Sequence, residues 1–187
     1  PNFRLPASDG RSQIDLSSLV GEKPIVLVFG NFTCGPFRGH ATSLEGLVNR
    51  YKDRANFLVV YTRESHPKEG WVLNENRWAK VEVSQPRDQA ARTRVAETCR
   101  QSMKLEVPMA VDSMDDHVSR LYSGLPSRMY LIDGQGKIAY KGGRGPFGFK
   151  PFELEQSLIL LLNSDKWSDA NADANANAKT ARAESPR

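Results

Sequence analysis

Two short apolar stretches stand out along the chain. Residues 24–29 (PIVLVF) run without a polar interruption, bounded by Pro and Gly and rich in Val and Ile. A strand buried on both faces has this pattern, because helices cover both sides of its sheet. Residues 57–61 (FLVVY) repeat it. Between the two, Leu44, Leu47, Val48 and Tyr51 recur at helical spacing. That spacing predicts a helix over 35–53, with Pro36 in the first turn, where a missing N–H is harmless. Residues 62–85 are long, polar and aromatic-containing, and loops of this length in compact domains are often functional. A helix over 86–104 follows, with Pro86 near its start, then a strand over 107–111 and a short helix over 115–122. Residues 128–133 and 137–140 predict two strands joined by Gly134-Gln135-Gly136, a hairpin signal. A glycine-rich loop over 141–149 (KGGRGPFGF) leads into a last helix over 151–163. Residues 1–23 read as a lead-in with a turn at Ser8-Asp9-Gly10.

Strand, helix, strand, helix, strand, then a hairpin and a helix is the element order of a thioredoxin-like α/β domain. The expected architecture is a central mixed sheet with helices on both faces. The domain is expected to span 1–163, leaving 164–187 as a tail. From Ser168 onward the sequence is rich in Ala, Asn and Asp and lacks large apolar residues. It cannot bury enough surface to offset its ordering entropy, so disorder is expected there.

Composition narrows the function. The formal net charge of +4 over 187 residues is small and evenly spread, with no block of Lys and Arg interleaved with aromatics. That argues against nucleic acid, though it suits an anionic ligand. No run approaches the roughly 18 apolar residues of a membrane span, so no membrane segment is expected in this chain. No leader pattern opens it, and a soluble, cytoplasmic protein is expected for the chain as given. The first residue is Pro1 rather than Met, so an N-terminal truncation, with an anchor or leader upstream, stays open. Two cysteines, Cys34 and Cys99, make neither a disulfide framework nor a metal-type spacing. No metal and no bound cofactor are expected.

Cys34 lies just past a buried strand and at the mouth of a helix. The helix N-terminus carries about half a positive charge and unpaired N–H groups. Both favour a thiolate, so the expected acidity is greater than that of a free cysteine. A free cysteine is commonly a buried, inert residue; the strand–turn–Cys–Gly–Pro–helix context favours the nucleophile. A dithiol site would put a second cysteine at position 37, which is Phe37. A peroxiredoxin would carry threonine at position 31, which is Asn31, with Thr33 adjacent to the cysteine instead. Val95, Cys99 and Met103 repeat on one helical face, so Cys99 reads as an apolar-face residue and also as the candidate resolving thiol. Gly124-Leu125-Pro126-Ser127 leads into MYLID, where thioredoxin-like domains often carry a cis proline against the active cysteine. An X–Pro bond adopts cis at a cost of only about 0.5–1 kcal/mol; an ordinary pre-strand proline is the alternative.

Read together, FGNFTCGPF around Cys34, FLVVYTRESHPKEGW from Phe57, VDSM from Val111, LPSRMYLID from Leu125 and YKGGRGPFGF from Tyr140 resemble the iodothyronine deiodinases. The match is collinear over about residues 1–162. These enzymes remove iodide reductively from thyroid hormone rings with a selenocysteine, and Cys34 stands at that place. The resemblance implies that Cys34, His66 and Glu64 are catalytic, His66 and Glu64 managing the proton that replaces iodine. It implies that Arg144 of the GGRGP loop holds an anionic group of the substrate. Thr33 and Pro126 complete the substrate-binding set. An external thiol reductant and a homodimer are implied as partners. Two departures from the family pattern stand out. Phe32 occupies the place of an extra cysteine, and no histidine is present near Gln85-Pro86, where the family carries one that clamps the hormone. His40 and His117 match no family position and read as helix-surface residues.

Three functions fit these residues. The first is a deiodinase-like reductive dehalogenase acting on an iodinated phenol. The second is a general thiol redoxin that reduces peroxide through a sulfenic acid on Cys34. The third is a non-enzymatic binding module of the same fold.

Overall fold

The computed structural model describes residues 1–164. The expected tail, apart from Ser164, lies outside the described residues. The central strands are β3 (Ile25–Gly30), β4 (Asn56–Tyr61), β5 (Met109–Val111), β6 (Arg128–Ile132) and β7 (Ile138–Lys141). They lie in the order β5-β4-β3-β6-β7. β3 runs parallel to β4, from Ile25 opposite Asn56 to Gly30 opposite Tyr61, and antiparallel to β6. β5 extends the parallel half and β7 the antiparallel half. This is a thioredoxin-like mixed sheet. Residues 1–23 are more than a lead-in. β1 (Arg4–Pro6) and β2 (Gln13–Asp15) form a hairpin of their own, and Ala7 bridges to Ala110.

Every residue of β3 is buried, which requires cover on both faces. On one face, Val26, Val28, Phe57 and Val59 pack with side chains from four helices. These are Phe37 of α1 (Gly35–Gly39), Leu44 and Leu47 of α2 (Ala41–Tyr51), Cys99 of α4 (Gln89–Ser102), and Leu154 and Leu158 of α6 (Pro151–Leu162). On the other face, Ile25, Leu27, Phe29, Leu58 and Val60 meet Phe3, Leu5 and Leu16 from the N-terminal segment. Val118 of α5 (His117–Leu121) and Tyr122 complete that layer. Helices therefore lie on both faces, unequally divided.

Several boundaries depart from the sequence pattern for local reasons. The helix expected over 35–53 breaks at His40, just after Gly39, a poor helix former. The helix expected from Pro86 starts at Gln89, because the Asp88 carboxylate caps it by accepting the Ala91 N–H at 2.7 Å. β5 starts at Met109, since Pro108 has no N–H for the ladder, though its carbonyl accepts the Val59 N–H at 2.9 Å. The long loop contains a short helix, α3 (Asn74–Trp78). Where β3 ends, α1 crosses close above it. A Cβ added at Gly30 would fall 2.3 Å from the Phe37 ring, so only glycine admits this approach.

Candidate active site

Cys34 is the N-cap of α1, with extended backbone and no side-chain capping bond. Its N–H donates to Asn31 O at 3.2 Å, and its carbonyl accepts the Arg38 N–H at 3.0 Å. Its side chain is 1% exposed, and that fact reverses an expectation. Burial pushes the Cys34 thiol up from its ordinary value. The nearby Ser127 hydroxyl, the Phe37 N–H and the Arg38 charge pull the other way, while Glu64 adds to the rise. The helix terminus is real but only five residues long, and it does not outweigh the loss of water.

Glu64 sits under the same turn, 4% exposed. Its Oε2 accepts two bonds from Thr33, from the N–H at 2.9 Å and from the hydroxyl at 2.7 Å. Its Oε1 accepts a short bond from the Tyr61 hydroxyl, which itself accepts the Phe32 N–H at 3.2 Å. Burial raises the Glu64 carboxyl, against the bonds from Tyr61 and Thr33, which lower it. A carboxyl held high in this way is suited to carry a proton. The Thr33 hydroxyl also accepts the His66 N–H at 3.1 Å. Thr33 thus joins the residue beside Cys34 to both Glu64 and the His66 backbone.

The His66 ring is half-buried, edge-on to Trp71 with centroids 5.2 Å apart, and its Nδ1 lies 3.0 Å from Trp71 O. A carbonyl only accepts, so Nδ1 carries the hydrogen there. Nε2 can then donate only from the doubly protonated ring.

Leu125–Pro126 is a cis peptide, as its place before β6 suggested. The Pro126 carbonyl accepts from Asn31 Nδ2 at 3.2 Å, and the same amide reaches Thr62 and Ser65. Pro126, Glu64 and Arg144 line one cleft of about 610 Å³ together with Arg63, Gln85 and Gly145. Three expected site residues are therefore brought to one cavity, while Cys34, Thr33 and His66 are not among the residues that line it. Gln85, near the place of the absent histidine, accepts the Glu64 N–H through Oε1 at 3.1 Å.

Cys99 is fully buried in the core, its thiol 3.4 Å from Met103 Sδ, and burial pushes it well above its ordinary value. Both cysteines are free. His40 stacks on Phe149 between α1 and α2, with centroids 5.9 Å apart, rather than standing free on a helix surface. His117 is exposed at the start of α5. Sequence reasoning missed Asn31, Tyr61, Ser127 and Asn76, whose Nδ2 donates to Thr33 O at 3.0 Å and whose Oδ1 accepts from Arg38 at 2.6 Å. Tyr61, at the end of an apolar strand and three residues before Glu64, carried a signal as a polar tip facing the loop; the amides carried none. Among the described residues no cluster of His, Cys, Asp and Glu could hold a metal, and no helix is long and apolar enough to cross a membrane.

Comparison with known proteins gives a family. The family described as Iodothyronine deiodinase matches residues 1–160. Thyroxine 5-deiodinase of Gallus gallus is 35% identical over 157 residues, covering 82% of this chain and 58% of that protein. Type I iodothyronine deiodinase of Xenopus laevis is 36% identical over 136 residues, covering 73% of this chain and 52% of that protein. The chain thus spans little more than half the length of these relatives. A secreted Mycobacterium tuberculosis disulfide oxidoreductase has a similar structure, with a TM-score of 0.60 at 16% identity over 85% of this chain and 96% of that one. That likeness establishes the fold alone.

Proposed function

This chain belongs to the iodothyronine deiodinase family, and on that premise we propose that it is a thiol-dependent oxidoreductase that removes iodide from iodinated phenols, with Cys34 in place of selenocysteine. The observation that carries this is a buried carboxyl, Glu64, bonded to the residue next to Cys34. Reductive dehalogenation needs a nucleophile for iodine and a proton for carbon. Cys34 offers the first. Glu64, raised by burial and tied to Thr33, offers a source for the second.

In the proposed cycle the Cys34 thiolate attacks iodine. The carbon–iodine bond breaks with its electron pair left on the ring carbon, which takes a proton, and a sulfur–iodine bond forms. An external thiol displaces iodide from the sulfur and forms a mixed disulfide. A second thiol frees Cys34 and leaves as a disulfide with the first. Arg144, exposed on the cleft wall, orients an anionic substituent of the substrate. Because the sulfur is 1% exposed, attack requires its cover to move.

The test is iodide release from reverse triiodothyronine and from iodotyrosine with excess dithiol, comparing the parent with Cys34→Ser. Release that disappears in the variant is expected. Release that survives in Cys34→Ser rejects the reading.

One observation favours a second reading, a general peroxide-reducing redoxin. A buried sulfur is reached more easily by hydrogen peroxide than by an iodinated ring. Cys34-dependent peroxide consumption without iodide release from either compound would select it.

A further inference from the structure

Ser127 directly precedes β6 and follows the cis Leu125–Pro126 bond. It is 0% exposed, and its Oγ has no hydrogen-bond partner of ordinary geometry. A buried hydroxyl left unpaired is costly and calls for an explanation. Gly145 of the cleft packs directly onto it. A Cβ added there would fall 2.3 Å from Ser127 Oγ, and the Gly145 N–H donates to Ser127 O at 2.9 Å. Ser127 lies next to the Cys34 turn: Arg128 pairs with Phe29 across β3 and β6, and Asn31 Nδ2, three residues before the cysteine, donates to the Pro126 carbonyl at 3.2 Å. From there the hydroxyl favours the Cys34 anion. A neutral thiol is a weak acceptor; a thiolate is a strong one.

We propose that the Ser127 hydroxyl is the donor reserved for the Cys34 thiolate, a catalytic contact that sets the acidity of the working sulfur. The charged groups that bear on the same sulfur are Arg38 of α1, which favours the anion, and Glu64 from the loop after β4, which opposes it. Both act on the sulfur as charges. The inference rests on Cys34 being the working thiol of the proposed reaction, and it holds whatever group that thiol attacks.

The test follows thiolate ultraviolet absorbance against pH in the full chain carrying Cys99→Ala, so that Cys34 is the one thiol observed. Adding Ser127→Ala should raise the titration midpoint by about one pH unit or more, the effect of losing a hydrogen bond to a charged group. Ser127→Thr keeps the hydroxyl and should hold the parent midpoint. A folded Ser127→Ala chain with the parent midpoint overturns the proposal, as does a Ser127→Thr midpoint raised as far as that of Ser127→Ala. So does a parent Cys34 that fails to titrate before the chain unfolds. Iodide release is read separately. A shifted midpoint in a protein that releases no iodide leaves the hydrogen bond standing and rejects the deiodinase reading; release without a shift does the reverse.

Discussion

Thr33 holds Glu64 twice at one oxygen, by its hydroxyl at 2.7 Å and by its backbone N–H at 2.9 Å. The residue next to Cys34 is thereby fixed to the loop that follows β4. Glu64→Ala would leave the Thr33 N–H and the Tyr61 hydroxyl without an acceptor in a buried site, while the Thr33 hydroxyl keeps Asn31 Oδ1 at 3.2 Å. A loss of about 1–3 kcal/mol is expected from that alone, measured by urea denaturation. The pH dependence has a definite sign. The Glu64 carboxyl is raised by burial, so between its ordinary value of 4.5 and its folded value the folded chain binds the extra proton. Stability from this group is greatest below 4.5 and falls as pH rises through that window. Glu64→Gln should remove that slope; an unchanged slope would locate the titration elsewhere.

Glu97 on α4 behaves in the opposite way. The Arg100 side chain, bonded to it at 2.7 and 2.9 Å, holds its carboxyl down at about 2, with Gln101 and Ser8 helping. Here the unfolded chain takes the proton first. Stability from this group is complete above 4.5 and is lost as pH falls toward 2. Because the pair is solvent-screened, Glu97→Gln should cost roughly 0.5–1 kcal/mol at neutral pH, and that difference should shrink as pH falls from 4.5 through about 2. Thermal melts of both chains across that range check it.

The strands and the place of Cys34 at the start of α1 were legible because they depend on neighbours in sequence. Contiguous apolar residues fixed β3 and β4, and a Cys-Gly-Pro after β3 located the helix mouth. What escaped depends on groups far apart in the chain. Thr33 and Glu64 are 31 positions apart, and Arg38 and Asn76 are 38 apart, so no local period couples them. The acidity of Cys34 was misjudged for the same reason. The helix terminus is visible in sequence, but the burial that opposes it comes from tertiary packing. The strands β1 and β2, three residues each, are too short to establish an alternation.

Gly30 is where β3 hands over to the cysteine turn, and its lack of a side chain has a measurable consequence. Gly30→Ala would drive a methyl to within 2.3 Å of the Phe37 ring, which is itself 1% exposed and wedged into the core. Overpacking of this kind costs about 1–3 kcal/mol. Because Phe37 belongs to α1 and Cys34 caps that helix, the variant should lose Cys34 reactivity along with stability. Denaturation together with the rate of thiol alkylation checks both. Full retention of both would mean that the ring shifts freely.

Cys99 offers the clearest decision about how an oxidised Cys34 is recycled. A resolving thiol must reach the oxidised sulfur as a thiolate. Cys99 is 0% exposed, packs against Met103 Sδ at 3.4 Å, and is pushed well above its ordinary value by burial. It is held as a neutral core side chain, and leaving that place would open a hole beneath α4. Oxidation of the native chain with one equivalent of peroxide, without added thiol, should therefore give a sulfenic acid on Cys34 that a dione reagent traps, with Cys99 still a free thiol by mass spectrometry. Cys99→Ala should cost roughly 1 kcal/mol, the loss of one small buried group, and keep thiol-driven turnover. An intramolecular disulfide between the two cysteines, together with loss of turnover in Cys99→Ala, would instead make Cys99 the resolving thiol and require the core around α4 to open during each cycle.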